Sequence, residues 1–134
     1  IMRKFNILPD GVIKGGTAYY DYSEGLITYD AEVSVKLFIF SQTKKFHGVY
    51  EVDPDLVKSA SFDTVGETQL LGNVEFTVLS VDGDQATVAI RVLDQDMTGV
   101  ALIDISDPEL ISILSLNAKA SVMGLSLNLS LVAA

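Results

Sequence analysis

The sequence predicts an all-β protein, folded as an antiparallel barrel or two-sheet sandwich of about eight to ten strands. Three observations support this. Apolar and polar residues alternate with a period of two over long stretches, glycine-containing turn signals separate those stretches, and two similar segments, DPDLVK at 53–58 and DPELIS at 107–112, punctuate the chain. A period of two places successive side chains on opposite faces of a strand, whereas a helix would repeat every ~3.6 residues.

The clearest strand covers residues 26–40, LITYDAEVSVKLFIF. Its odd-numbered positions from Ile27 to Ile39 are apolar, and its even-numbered positions from Thr28 to Lys36 are mostly polar. Phe38 and Phe40 then add apolar groups to the polar face. We therefore expect this end of the strand to be covered by protein on both faces.

Two hairpins are predicted from turn chemistry. In the first, TAYYDY at 17–22 leads through Ser23-Glu24-Gly25 into the strand at 26–40. In the second, the runs at 73–81 and 86–93 flank Asp82-Gly83, and Gly tolerates the positive φ that tight hairpin turns require. Further strands are predicted at 46–52, 59–65, 98–105 and 116–132.

The repeated Asp-Pro segments predict two short helical turns, near 53–58 and 107–115. Asp53 and Asp107 suit the N-cap, and the prolines that follow suit the first helical position. The segment at 31–38 also aligns with that at 86–93, so a two-fold internal repeat is predicted, with units at about 16–65 and 72–132. Independent use of common β chemistry is the alternative, and either reading gives a single domain over residues 1–134.

The C-terminal stretch changes side-chain parity. Apolar residues occupy even positions from Leu116 to Val122 and odd positions from Met123 to Leu131. A one-residue slip reverses every side chain in a strand, so a bulge or bend near Gly124 is expected. No charged residue follows Lys119, so the run at 120–134 lacks the charges that protect a sheet edge and must be buried or covered by a partner.

The charge balance limits the partners. The chain has 134 residues, 9 basic and 18 acidic side chains, and a net charge of −9. Residues 59–134 contain only two of the basic residues, Arg91 and Lys119. Such a surface repels phosphates, so we expect no nucleic-acid partner and no binding to an anionic membrane.

No catalytic, metal or cofactor motif is recognisable. The absence of cysteine rules out thiol catalysis and disulfides, and the Asp82/Asp84 and Asp94/Asp96 pairs lack the ligand spacing of a calcium loop. His47 is the only histidine, and no nucleophile elbow accompanies it. We predict no cofactor and no metal, and we expect His47 to be an exposed strand residue on the same side as Glu51.

Aromatic residues are the most suggestive candidates for a binding site. Nine of the eleven lie before residue 51, and aromatic rings with polar tips suit ligand cavities and partner surfaces as well as ordinary sheet packing. The predicted ligand-binding set is Tyr19, Tyr20, Tyr22, Tyr29, Phe38, Phe40, His47 and Tyr50.

The leading functional hypothesis is a non-enzymatic binding or assembly domain that acts by self-association, as a homo-oligomer, or through a protein partner. The alternative is a lipocalin-like carrier of a small apolar ligand in a β-barrel cavity. An enzyme of unknown type is a second alternative. It ranks last, because the candidate acid, base and nucleophile residues show no ordered spacing.

Overall fold

The computed structural model describes residues 2–21, 23–51, 60–107, 112–122 and 125–134, and these ranges form ten β-strands. In chain order the strands are β1 Met2–Ile7, β2 Ile13–Asp21, β3 Leu26–Leu37, β4 Phe40–Glu51, β5 Thr68–Leu71, β6 Val74–Asp82, β7 Gln85–Val92, β8 Met97–Asp104, β9 Ser112–Val122 and β10 Leu125–Ala133. The all-β prediction is confirmed, and within these ranges no helix could cross a membrane.

All ten strands belong to one antiparallel sheet, in the order β4-β3-β2-β1-β10-β9-β8-β7-β6-β5. The sheet consists of two meanders, β1–β4 and β5–β10, joined where β1 pairs with β10 through Phe5↔Ala133 and Ile7↔Leu131. The edge strands β4 and β5 are not paired with each other, so the sheet is not closed over the described residues.

Further contacts strengthen the junction of the two meanders. The backbone N–H of Leu8 donates a hydrogen bond to the carbonyl oxygen of Ser130 at 2.8 Å. The backbone N–H of Ala134 donates one to the carbonyl oxygen of Lys4 at 3.0 Å. The Arg3 side chain also donates from Nη1 to Ser112 Oγ at 2.6 Å, which links β1 directly to β9. The two ends of the chain therefore meet in the middle of the sheet.

The larger part of the core lies in the C-terminal meander. Its buried residues come from β6, β7, β8 and the segment before β5: Ala60, Phe62, Val78, Ala86, Val88, Ala101 and Ile103. The ring of Phe62 packs against that of Phe76 with centroids 5.6 Å apart. A smaller set of buried apolar residues, Phe5, Ile7, Ile13 and Ala18, lies on β1 and β2.

Both predicted hairpins with glycine-containing turns are confirmed. Gly25 follows β2 with φ +69°, and Gly83 follows β6 with φ +58°, conformations that cost glycine little. In the first turn the Asp21 carboxylate accepts hydrogen bonds from the Ser23 backbone N–H at 3.0 Å and from the Ser23 hydroxyl at 2.7 Å.

The predicted strand at 26–40 is wrong at its end. β3 stops at Leu37, Phe38 and Ile39 form a two-residue turn, and β4 begins at Phe40. The expected cover on both faces is absent, because Phe38 and Ile39 are 96% and 86% exposed. Neither residue is a usual turn former, so local turn chemistry could not have indicated this hairpin.

The C-terminal stretch is two strands instead of one bent strand. β9 and β10 form a hairpin in which Val122 lies opposite Leu125. Because opposite residues share a face, even positions of β9 and odd positions of β10 point the same way, which explains the parity change without a bulge. β10 lies between β1 and β9 in the sheet, pairing with β9 from Leu125 to Val132 but with β1 only at Leu131–Ala133, so the uncharged run is covered on its β9 side and, at its C-terminal end, on its β1 side.

The two predicted helical turns are not seen in the part of the chain that the structure describes. Residues 53–58 and 108–111 lie outside the described ranges. From Ser112 onward the second prediction is wrong, because Ser112 already belongs to β9 and pairs with Asp104 of β8. The strand predicted at 59–65 is wrong over residues 60–65, where Phe62 packs into the core from an irregular segment. The internal repeat stays a prediction.

Replacing Phe62 by Ala should lower the free energy of unfolding by about 3–5 kcal/mol, since it removes a buried ring and leaves a cavity. Phe38→Ala is the matched control, because that ring is exposed and its loss should change stability by less than about 0.5 kcal/mol. Urea unfolding followed by circular dichroism measures both. Equal effects of the two substitutions would contradict the placement of the core.

Acid should destabilise the fold partly through Asp21. Its hydrogen bond from the Ser23 side chain holds the pKa of Asp21 below the ordinary value of 3.8. The folded chain therefore binds fewer protons than the unfolded chain, and this contribution is present above pH 3.8 and lost as the pH falls through the lowered pKa. Asp21→Asn keeps an acceptor oxygen but does not titrate, so the variant should lose less stability than the wild type between neutral pH and roughly pH 3. Urea midpoints at the two pH values measure this, and an unchanged acid loss would contradict it.

Candidate functional site

The β3–β4 hairpin is the most exposed element of the structure. Its two strands, each 12 residues long, pair without a shift from Leu26↔Glu51 to Leu37↔Phe40. Every residue from Phe38 to His47 is exposed, so the turn and the first eight residues of β4 contribute nothing to the core. β4 is also an edge strand, with β3 on one side and no strand of the described residues on the other.

The end of this hairpin, residues 38–40, is called the hairpin tip. It is a cluster of large apolar side chains in which Phe38 is 96%, Ile39 86% and Phe40 71% exposed. Phe38 has φ +56° and is the one non-glycine residue with positive φ among those described. A left-handed conformation costs a residue with a side chain about 1–2 kcal/mol, so this turn is strained as well as apolar.

The outer half of the hairpin is positively charged. Residues 33–45 contain Lys36, Lys44 and Lys45 and no acidic residue, in a protein whose net charge is −9. Nearer the sheet, His47 Nδ1 lies 2.7 Å from Asp30 Oδ1, and both side chains are 61% exposed. The expected exposure of His47 agrees with this placement, and its contact is with a solvated carboxylate on the neighbouring strand.

Seven of the eight predicted binding residues are among those described; they lie on strands β2–β4 and the turn between β3 and β4, and none of them lines the concave surface found on the sheet. Tyr29, Phe38, Phe40 and His47 belong to the β3–β4 hairpin, with Tyr29 and His47 on opposite faces. Tyr19 and Tyr20 are partly buried on β2. Tyr50 lies in β4 opposite Ile27, and Tyr22 lies outside the described residues. The structure therefore puts four of the predicted residues on one hairpin, with Phe38 and Phe40 at its tip and Tyr29 and His47 farther along it on opposite faces.

The Tyr29 ring lies over Gly48 of β4. A Cβ atom placed on Gly48 would overlap the ring, so only glycine leaves room for it there. An aromatic ring packed on an edge glycine replaces the packing that the glycine lacks. Tyr29 is still 40% exposed and is available for contact with another molecule.

Sequence reasoning missed a concave polar surface on the other half of the sheet, with a volume of about 880 Å³. Residues in register across five strands form its central row: Glu75, Arg91, Thr98, Lys119 and Asn128. Arg91 Nη2 lies 3.5 Å from Glu75 Oε2. The alternation of apolar and polar residues along β7 and β9 indicates that Arg91 and Lys119 point outward, but only the strand register shows that they lie in one row. None of the eight predicted residues lines this surface.

Acidic residues do not converge on a metal-binding arrangement in the described ranges, where no group of three or more His, Asp or Glu side chains could hold an ion. Asp94, one of the paired carboxylates, instead accepts a hydrogen bond from Asn73 Nδ2 at 2.6 Å.

The chain matches no protein-family model, no curated protein and no solved structure. Its function is therefore inferred from the geometry and charges of its own residues.

Replacing Phe38 by Gly should stabilise the protein by up to about 1 kcal/mol, because glycine adopts positive φ freely and only part of that gain is offset by its greater freedom when unfolded. Ile39→Gly is the matched control. Ile39 has no positive φ, so its replacement should destabilise the protein by roughly 0.5–1 kcal/mol. Thermal and urea unfolding of the two variants measure the difference, and a loss of stability for both would contradict strain at Phe38.

Proposed function

We propose that this chain is a non-enzymatic binding or assembly domain that acts through the β3–β4 hairpin, by self-association or by binding a protein partner. The observation that carries the proposal is the hairpin tip, where Phe38, Ile39 and Phe40 are almost fully exposed. Each large apolar side chain taken out of water contributes about 1.5–3 kcal/mol, so a partner that covers the tip gains substantially. Clustered exposed apolar residues mark interaction sites.

Charge favours an acidic partner surface, and another copy of the chain is one. Lys36, Lys44 and Lys45 give the hairpin behind the tip a local excess of positive charge, with Lys36 and Lys45 on one face and Lys44 on the other, in a chain of net charge −9. Opposite charges speed encounter and suppress wrong partners. The acidic half at 59–134 of another copy offers such a surface, which places self-association ahead of a different protein partner.

The free edge of β4 supports the same proposal. A free edge presents unpaired backbone N–H and C=O groups, and proteins commonly protect such an edge by keeping it short. β5, the other edge, has four residues, whereas β4 has twelve. The long edge therefore lies on the element that also carries the exposed apolar tip.

Strain at Phe38 is a further argument. Glycine would adopt this backbone conformation at no steric cost, yet the position carries a large aromatic ring exposed to water. Strained backbone is typical of functional sites, and here it presents the ring at the end of the hairpin.

The finer architecture belongs to the same proposal. We infer that the sheet curls into a barrel-like or two-layer sandwich form, because apolar residues on one face of β6–β8 have to be covered. The packing of Ala60 and Phe62 against that face and the register shifts at Val78/Ser80 and Leu102/Ile103 support this, since such irregularities bend sheets.

The alternatives have less support. A lipocalin-like carrier needs an apolar cavity, whereas the concave surface on β6–β10 mixes apolar side chains such as Ile90, Val100 and Leu129 with charged, amide and hydroxyl groups. An enzyme that depends on a nucleophile–histidine–acid arrangement would have to use the exposed His47–Asp30 pair, and among the described contacts no nucleophile hydrogen-bonds to that imidazole.

Replacing Phe38, Ile39 and Phe40 together by Ser should weaken self-association at least about tenfold, since the loss of even one well-buried side chain exceeds 1.4 kcal/mol. Sedimentation velocity over a concentration series measures it. The matched control replaces three exposed apolar residues of the other meander by Ser: Val65, Leu70 and Leu93, which are 60%, 58% and 48% exposed. Equal weakening by the two triple variants, or a wild-type chain that stays monomeric throughout, would contradict the proposal.

A further inference from the structure

We propose that β4 pairs antiparallel with β4 of a second copy of this chain, about a two-fold axis at Gly48, so that Lys45 of each copy faces Glu51 of the other. This inference rests on the proposed self-association and adds the strand, the symmetry and the register of the assembly; within β4 this register pairs residues 45–51, so the hairpin tip extends beyond the paired segment.

The register within the hairpin determines which backbone groups of β4 are free. Leu37 and Phe40 flank a two-residue turn, and the pair that closes such a turn exchanges backbone hydrogen bonds. Hydrogen-bonded and non-hydrogen-bonded pairs then alternate. Even-numbered residues of β4 therefore bond to β3, and odd-numbered residues from Ser41 to Glu51 direct their N–H and C=O groups away from the sheet.

Symmetry then restricts the registers that two copies can adopt. A two-fold axis perpendicular to the sheet keeps each side chain on its own face, and opposite residues share a face. A residue of β4 can therefore face only a residue of the same parity in the second copy. The axis must pass through a residue position: Lys45 and Phe46 lie at the middle of β4, and His47 and Gly48 lie towards its C-terminal end.

Charge separates these four choices. An axis at Lys45 places that lysine opposite itself, and an axis at Phe46 places Lys45 opposite His47. An axis at His47 places the two histidines together and leaves Lys45 facing Val49. An axis at Gly48 places Lys45 opposite Glu51 twice, and opposite charges across strands are stabilising whereas like charges are not.

The surroundings of Lys45 and Glu51 suit this pairing. Both side chains are exposed, and Lys45 already lies opposite Glu32 on β3. In the dimer Lys45 would lie between Glu32 of its own chain and Glu51 of the second copy. Lysine normally protects a free edge, and here it excludes the registers that would place like charges together.

Gly48 suits the position on the axis. It lies in a non-bonded position of the new interface, where backbones approach most closely, and it has no side chain to obstruct a second glycine. Each Tyr29 ring covers the Gly48 of its own chain, so the two half-exposed rings would lie side by side across the axis. Aromatic rings in contact add stability beyond that from the area that they bury.

Charge reversal tests the register. Lys45→Glu and Glu51→Lys should each weaken dimerisation at least about fivefold, since each change acts twice in a symmetric dimer and replaces an attractive cross-strand pair by a repulsive one. The double variant Lys45→Glu/Glu51→Lys should recover the wild-type dissociation constant. Lys44→Glu is the matched control, because Lys44 has no acidic partner in this register. Sedimentation velocity measures all four variants at one ionic strength.

Disulfide trapping gives a second readout, because the chain contains no cysteine. An axis at Gly48 places His47 opposite Val49 in a hydrogen-bonded pair, with Cα atoms ~5.5 Å apart, which a disulfide can span. A mixture of the single variants His47→Cys and Val49→Cys should form a cross-linked dimer under mild oxidation. Neither variant alone should do so, since its own thiols would lie on a diagonal at ~7–8 Å.

The outcomes separate this inference from the proposed function. Recovery in the charge-swapped double variant, together with cross-linking only in the mixture, supports the pairing. The register is overturned if His47→Cys cross-links with itself. It is also overturned if charge reversal has no effect on dimerisation while the tip variant dissociates. Both outcomes leave the proposed function intact. If the charge-swapped double variant recovers dimerisation and the tip variant still dimerises, the role of the tip is overturned and the β4–β4 pairing remains supported. A monomeric wild-type chain contradicts both.

Discussion

The pairing of β1 with β10 is the contact on which the rest of the architecture depends. It joins two meanders that are otherwise connected only along the chain, and it does so near the two ends of the sequence. Because β1 and β10 occupy the centre, the strands farthest from them, β4 and β5, become the edges. The hydrogen bond from Arg3 to Ser112 adds a side-chain link across the same junction. Without this junction the uncharged β10 would itself be an exposed edge.

The two meanders divide the work of folding and of contact. The C-terminal meander contains most of the buried residues and packs them against Phe62. The outer half of the β3–β4 hairpin buries almost nothing, although it is rich in aromatic residues. The side chains of its turn and of the first part of β4 face solvent, so they are free for contact with another molecule. Exposed aromatic residues on such an element are better explained by binding than by stability.

Much of the strand pattern could be predicted because it depends on local chemistry. The alternation in β3 and β7 and the glycine turns at Gly25 and Gly83 lie where the sequence indicates. The turn at Phe38-Ile39 could not be predicted, because neither residue favours a turn and only the pairing of β3 with β4 reveals it. The parity change after Val122 was compatible with a bulge or a hairpin, and only the pairing of β9 with β10 distinguishes them. Sequence reasoning found the aromatic candidates but not that Phe38 and Phe40 lie at the exposed tip of a hairpin.

The sequence by itself determined the fold class, the inward and outward faces of the strands and the uneven charge, because these follow from side-chain alternation and residue type. The tertiary structure alone decided the strand order, the free edge at β4, the exposure of the hairpin tip and the row that aligns Arg91 with Lys119. The physical reason is that register and order arise from many weak backbone and packing contacts between residues far apart in the chain. Those contacts form only when the whole sheet assembles.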